Sequence, residues 1–318
     1  MSSSRRAVID IGTNSVKLLV AEVAGQDVRP LWEDSKQTRL GEGFYETNRL
    51  QPGPVAKTAT AVLKFAEAAR DWKAGAIRVI ATSAAREATN PHDLTAAVHQ
   101  ASGLRLEIIS GDQEADWVFQ GVTTDPELSK HPLLLLDVGG GSTEFILGHG
   151  AHKSFRHSFA LGTVRLLEAT PLSDPPTPAE LAACRQWIKN FLCEEVGPRL
   201  VAGFSEEKKF DPAQHLLQFV GTGGTASILA RMEAGLVDYD RARIEATRLT
   251  LDQVKTHLGR LWSLPLAQRR EIIGLPKKRA DVILPGVAIY ETVMEEFGLS
   301  AMRVSTRGLR FAALMDGA

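Results

Sequence analysis

The stretch Leu133–Leu147, LLLLDVGGGSTEFIL, sets three consecutive glycines between two runs that read as buried β-strand. Glycine inside a strand costs backbone entropy and leaves no side chain to pack. Taken alone, the segment reads equally well as a Gly-rich hairpin turn. A second stretch decides between the two. AVIDIGTNSVKLLV (Ala7–Val20) aligns without gaps on LLLDVGGGSTEFIL (Leu134–Leu147). Asp10 then falls on Asp137, Gly12 on Gly139, Ser15 on Ser142 and Lys17 on Glu144. Sharing the Asp, the Gly, the Ser and both flanking apolar strands points to one strand–turn–strand unit used twice, once per domain.

Each copy carries the same chemistry. An apolar strand delivers an Asp at its end, and small residues form the turn. Without bulky side chains, backbone N–H groups converge on an anion, and Ser and Thr hydroxyls add donors. Two such turns facing each other across a cleft would grip a phosphate from both sides. The Asp residues at their bases suit a Mg²⁺ ion that bridges phosphate oxygens. FVGTGGTASILA (Phe219–Ala230) adds a third Gly-rich turn, between a strand and an apolar helix. It is either another anion site at a helix N-terminus or a device for close helix–strand packing.

The 318 residues, 44% hydrophobic and 24% charged with a net charge of −1, suffice for two domain cores. That balance advertises no polyanion partner, nucleic acid included, so any basic surface is local. Cys184 and Cys193 lie in one expected helix without CxxC spacing, which points to reduced, partly buried thiols. The N-terminal apolar run stops at Asp10, too soon for a signal-peptide core, and no stretch spans a membrane without charges. The expectation is a cytoplasmic chain with no membrane partner.

Local signals mark the elements. A helix opens at Pro54 and closes near Gly75, and IRVIATSAAR is a strand leading into a polar turn. Asn90 is the expected N-cap of a helix that begins at Pro91 and stops at Gly103. Thr177 with Glu180, and Thr250 with Gln253, have capping-box spacing. DPELSKHP (Asp125–Pro132) reads as a hinge, and MRVSTRGLRFAALM as a strand, a turn and a short helix that crosses back to the first domain. The expected domains are 1–126 with a return at 301–318, and 127–300.

Several polar residues allow two readings. In IISGDQEADWVF, Ser110 and Gln113 have capping-box spacing, so Asp112 and Glu114 fall in a first helical turn, where carboxylates are favoured. That is either an ordinary acidic helix start or a charged Glu114 that takes a proton from an attacking water. Arg86, after small residues at a strand end, is either a surface charge or a guanidinium that offsets charge on a transferring phosphoryl group. His149, His152 and His157 suit a solvated hairpin end better than a metal set, because no acid or cysteine completes one. Lys277, Lys278 and Arg279 form a solvated turn or a cationic rim near a polyphosphate site.

In order from Asp10 to Arg310, the chain carries DIGTNSVKLLV, ATSAAREATN, ISGDQEA, LDVGGGSTEF, FALGTVRL, GTGGTASILA, RADVILPGVAIY and STRGLR. Together they resemble the exopolyphosphatase/guanosine pentaphosphate phosphohydrolase (Ppx/GppA) family of the actin-like, sugar-kinase and Hsp70 superfamily, in its short two-domain form. The resemblance implies an α/β fold of two RNase H-like (actin-like ATPase) domains facing each other across a central cleft. It also implies hydrolysis of terminal phosphoryl groups with Mg²⁺, or with Mn²⁺ in its place. Glu114 then corresponds to the catalytic glutamate and Arg86 to the arginine near the transferring phosphate. Asp137 and Glu144 correspond to acids that organise metal and water, with Asp10 at the base of the other turn. Asp10, Gly12, Thr13, Asn14 and Ser15 correspond to one phosphate grip. Gly139, Gly140, Gly141, Ser142 and Thr143 correspond to the second, and Gly223 and Gly224 to the third.

One departure is visible: family members often carry a run of glutamates where this chain has Asp112 and Gln113 before Glu114. Inorganic polyphosphate is the first expected substrate, with guanosine pentaphosphate, or both, as the alternative. The competing class is an actin-like kinase or ATP-binding scaffold; SGDQEA and the Asp137–Glu144 acid pair favour the hydrolase. A homodimer is left open.

Overall fold

Along Ser4–Ile11 (β1) the chain passes from exposed to wholly buried, so the strand carries Asp10 from the rim of a sheet to its interior end. A computed structural model describes residues 3–210 and 216–316. The chain divides into two compact units, Met1–Thr124 with Arg307–Ala318, and Asp125–Thr306.

In the first unit, β1 is joined by Ser15–Ala24 (β2), Asp27–Gln37 (β3), Ala76–Ala81 (β4) and Leu106–Ile108 (β5), in the order β3-β2-β1-β4-β5. β1, β2 and β3 form an antiparallel meander, while β4 and β5 run parallel to β1. One face buries Ile9, Ile11, Val16 and Leu18 against Val62, Phe65 and Ala66 of the Pro52–Asp71 helix. Central strands covered in this way read as nearly continuous apolar runs, as AVIDI and SVKLLVA do. The Gly111–Val122 helix approaches the returning tail so closely that a β-carbon on Gly121 would strike the Gly308 backbone.

The second unit holds Leu133–Val138 (β6), Thr143–His149 (β7), His152–Phe159 (β8), Gln218–Thr222 (β9), Arg248–Thr250 (β10) and Ala301–Val304 (β11). Their order is β10-β11-β9-β6-β7-β8. Here too a meander, β6-β7-β8, lies beside a parallel fourth strand, β9. The repeat seen in the sequence thus extends well beyond one hairpin, and the expected two-domain α/β class holds.

Four local expectations change. The first long helix begins at Pro52, using that proline's preset φ at the first position. The polar turn after β4 is a short helix, Ser83–Glu87, which carries Arg86. Asn90 does not cap its helix; its Oδ1 accepts from Leu50 N (2.8 Å) and its Nδ2 donates to Leu50 O (3.1 Å). A buried loop backbone outcompetes the helix end, because its N–H and C=O have no ladder to join. The tail strand β11 pairs with β9 and β10, so 301–306 stay with the second unit and the return begins at Arg307.

Both other capping boxes form in full. Cys184 is buried, which pushes its thiol up to about 12, whereas Cys193 is exposed; neither is in a disulfide. No helix among the described residues is long and apolar enough to cross a membrane.

Candidate active-site residues

In the first unit the β1–β2 turn is closed by Gly12 N donating to Ser15 O at 3.0 Å. A β-carbon on Gly12 would lie 3.3 Å from that same carbonyl. The turn is enclosed by residues the sequence reading passed over. Thr38 N and Arg39 N both donate to Asn14 O (3.2 and 3.0 Å), and Gly41 N donates to Thr13 O (2.8 Å). A side chain at Gly41 would collide with Thr13 Cγ2. Inside this wrap, Thr13 Oγ1, Asn14 Nδ2 and Thr38 Oγ1 are buried without a hydrogen-bond partner among the described residues. Buried polar atoms are almost always partnered, so three together mark a place built for a polar ligand or water.

Asp10 lies directly opposite Lys17 across the β1–β2 pair and is 7% exposed. Burial raises its carboxyl above the usual carboxylate range, against the opposing pull of Lys17 and Arg310. Arg310 comes from the returning Leu309–Met315 helix, where it donates to Leu18 O (3.0 Å) and pairs with Glu33 (3.2 Å).

Arg86 and Glu114 come together. Arg86 Nη1 donates to Glu114 Oε2 at 2.8 Å and to Ile109 O at 3.3 Å. Glu114, 7% exposed, sits in the first turn of the Gly111–Val122 helix, which starts with Gln113 N donating to Ser110 Oγ (3.1 Å). The reciprocal bond of a full capping box is not made. A charge-assisted bond of this kind is short and strong and fixes the orientation of the carboxylate.

The second unit repeats the turn and changes its chemistry. Gly139 N donates to Ser142 O at 2.9 Å, and a β-carbon on Gly139 would lie 2.9 Å from that oxygen. Asp137 now faces Glu144 across β6–β7, two acids where the first turn has an acid and a base. Glu144, 2% exposed, accepts from Ser158 Oγ at 2.7 Å. The loop after β8 wraps this turn as 38–41 wraps the other. Thr163 N donates to Gly139 O (3.0 Å), Val164 N to Gly140 O (2.8 Å) and Arg165 Nε to Gly141 O (2.9 Å). A β-carbon on Gly162 would run into the Gly140 and Gly141 backbone. A small signal for both wraps was present: Leu40–Gly41 and Leu161–Gly162 follow the third strand of each meander, with both leucines fully buried.

Gly223 and Gly224 open the Gly223–Glu233 helix beside the same carboxylate. Gly223 has φ +81°, and any β-carbon there would collide with Asp137 Oδ1, so only glycine lets the carboxylate pack this closely on the turn. Below, the buried Tyr290 hydroxyl lies 2.9 Å from Leu136 O and 3.0 Å from Thr222 O, tying the ends of β6 and β9 together. Burial and the nearby Asp137 raise that phenol well above its ordinary value. Arg279 reaches the edge of Gly224, its guanidinium disfavoured by burial and supported by Asp281. Lys277 instead pairs with Glu271 at 2.9 Å.

Asp137 and Glu144 are hard oxygen donors of the kind Mg²⁺ takes. Among the described residues no group of three or more His, Cys, Asp and Glu gathers as a metal set. Two protein carboxylates, with waters and substrate phosphate completing the shell, is how Mg²⁺ is usually held. The residues present therefore fit that ion.

A family model described as the Ppx/GppA phosphatase family matches residues 19–317. "Exopolyphosphatase 2" of Mycobacterium tuberculosis is 31% identical over 319 aligned positions, which cover 96% of this chain and 96% of the relative. The crystal structure of the Aquifex aeolicus member of the Ppx/GppA family is similar with a TM-score of 0.76 at 28% identity, covering 99% of this chain and 97% of that one. An exopolyphosphatase structure from Cytophaga hutchinsonii has a TM-score of 0.83 at 24% identity, over 98% and 96% of the two chains, a likeness of fold.

Proposed function

This chain belongs to the Ppx/GppA phosphatase family of phosphoanhydride hydrolases, and from that premise we propose that it is an exopolyphosphatase. Its reaction is Mg²⁺-dependent removal of the terminal phosphate of inorganic polyphosphate as orthophosphate. The observation that carries this reading is the Arg86–Glu114 pair, a buried carboxylate held in place by a guanidinium.

Glu114 is assigned as the general base. A water oxygen attacks the terminal phosphorus, the bridging P–O bond breaks in line, and the water's proton passes to a Glu114 carboxylate oxygen. Arg86 orients Glu114 and brings a positive charge for the phosphoryl oxygens, where negative charge gathers in a loose transition state. The Gly12–Ser15 and Gly139–Ser142 turns, with the turn at Gly223 and Gly224, are assigned to the substrate's phosphates, but Gly12 N and Gly139 N are spent on closing their turns and the Thr143 hydroxyl on Leu161 O. Asp137 and Glu144 would hold Mg²⁺, with Asp10 as the corresponding acid of the first turn. When bound, the ion neutralises phosphate charge and polarises the P–O bonds. Ser158 keeps the Glu144 carboxylate in one orientation.

The test is phosphate release measured side by side on long polyphosphate, tripolyphosphate, guanosine pentaphosphate and ATP, with Mg²⁺ or with chelator. Release from polyphosphate that stops with chelator is expected. Preference for guanosine pentaphosphate would move the assignment to the sister activity. Transfer from ATP to a second acceptor, with no hydrolysis, would replace it by a kinase. Glu114→Gln is expected to keep the fold and to lose about 10²–10⁴-fold in rate. Wild-type turnover in that variant would remove Glu114 from the mechanism.

A further inference from the structure

A pocket of about 390 Å³ lies in the first unit, lined by Lys36, Gln37 and Thr38 at the end of β3 and by Lys57, Thr60 and Lys64 on the Pro52–Asp71 helix. Its lysines are arranged for one ligand. Lys57 and Lys64 share a helix face, because seven residues make two turns and set them about 10 Å apart along the axis. Lys36 Nζ rests 5.3 Å from the Phe65 ring centroid, a cation–π contact that holds it at the pocket wall. None of the three ammonium groups has an acidic partner among the described residues. Thr38, 4% exposed, lines the same pocket, and its buried Oγ1 has no hydrogen-bond partner among the described residues.

The pocket is bonded to the first turn. Gln37 Nε2 donates to Asn14 Oδ1 at 3.2 Å, and Thr38 N donates to Asn14 O at 3.2 Å. One wall thus ends in the strand that wraps the Gly12–Ser15 grip. Three unneutralised cations around one hollow repel each other, and a string of negative charges removes that repulsion at several points at once. A condensed phosphate fits this pattern better than a single anion, since the charges are spread along two helical turns.

We propose that this pocket is a second phosphate site, which holds phosphates of a long polyphosphate chain remote from the end being cut. The proposal rests on the polyphosphate assignment for the identity of its ligand, but its direct test is binding and does not need turnover.

The experiment compares the 318-residue chain with its Lys57→Gln/Lys64→Gln variant. Glutamine keeps helix propensity at these exposed positions, and equal melting temperatures check the fold. Equilibrium binding is measured with fluorescently labelled long-chain polyphosphate and with tripolyphosphate. The variant is expected to bind the long chain roughly tenfold more weakly at low salt, from the loss of two exposed charge contacts. The deficit should shrink as salt rises past the point where exposed charges are screened. Tripolyphosphate binding is expected to be unchanged. Equal loss for both probes, or unchanged long-chain binding, would overturn the pocket. Should the wild type release no phosphate from either compound yet show the chain-length-dependent binding difference, the catalytic assignment fails and the pocket stands.

Discussion

The β1–β2 and β6–β7 turns are closed by the same backbone bond, Gly12 to Ser15 in one and Gly139 to Ser142 in the other. The residues opposite their aspartates differ. Asp10 faces Lys17, and the tail helix brings Arg310 within its field, so the first turn balances its acid from inside the protein. Asp137 faces Glu144, and like charges directly across a strand pair are destabilising. The second turn sets two acids side by side where the first sets an acid beside a base. The two turns share one backbone closure and differ in the charge set opposite the aspartate, and under the proposed function the second is the one assigned to the metal.

The largest effect that would break this contrast is expected from Glu144→Gln. Removing one acid of the pair should lower phosphate release about 10²–10³-fold, the scale of a lost electrostatic contact in a transition state. Mg²⁺ should also raise the melting temperature of the wild type and not of the variant, because a ligand that binds the native state stabilises it. A variant that still responds to Mg²⁺ like the wild type would detach Glu144 from the metal.

A smaller effect separates the two wraps. Gly162→Ala forces a β-carbon into backbone that has nowhere to move, and about 2–3 kcal/mol of destabilisation is expected. Gly41→Ala meets the Thr13 methyl, which can turn aside, and about 1 kcal/mol is expected. Urea unfolding of both variants measures the difference, and equal losses would mean the two loops grip alike.

The smallest concerns Asp10. Its folded-state pKa is raised by burial, so the native state holds a proton more tightly than the unfolded chain. Its contribution is therefore intact below the unfolded value, about 3.9, and is lost as pH rises through the folded value. Asp10→Asn should be more stable than the wild type at pH 7, with the advantage fading toward pH 4, even as activity falls. Denaturant midpoints at the two pH values decide it; a variant less stable at neutral pH would mean Lys17 and Arg310 outweigh the burial.

Most of the candidate site was legible because its residues sit in turns, where chemistry and local sequence coincide. Gly139 and Gly223 each meet a nearby atom that excludes a β-carbon, and Gly12 meets one that leaves it little room, so glycine there records a local demand. The placement of Glu114 at a helix start was legible in its capping signal and that of Arg86 beyond a strand end in its small neighbours, while the roles expected of them came from the resemblance. Their contact across 28 residues was not legible, since nothing in either segment names the other. Ser158, Tyr290 and the Thr38–Gly41 wrap were missed for the same reason. Each acts on a residue far away in the chain while looking locally like an ordinary strand, helix or loop residue. Asn90 shows the converse: a strong local signal for a cap was overridden by a distant backbone that needed both of its side-chain atoms.

The amino-acid order by itself determined the repeated strand–turn–strand units, the acid at each strand end, the glycine turns and the alternation of strands and helices. These depend on sterics and hydrogen bonding within a few residues, which a short stretch encodes completely. Only the tertiary structure decided which charges meet: Arg86 with Glu114, Arg310 near Asp10, and Asp137 held against Gly223. Those pairings follow from strand register and from where the tail helix returns. Both are set by burial of the whole core, and no single stretch contains them.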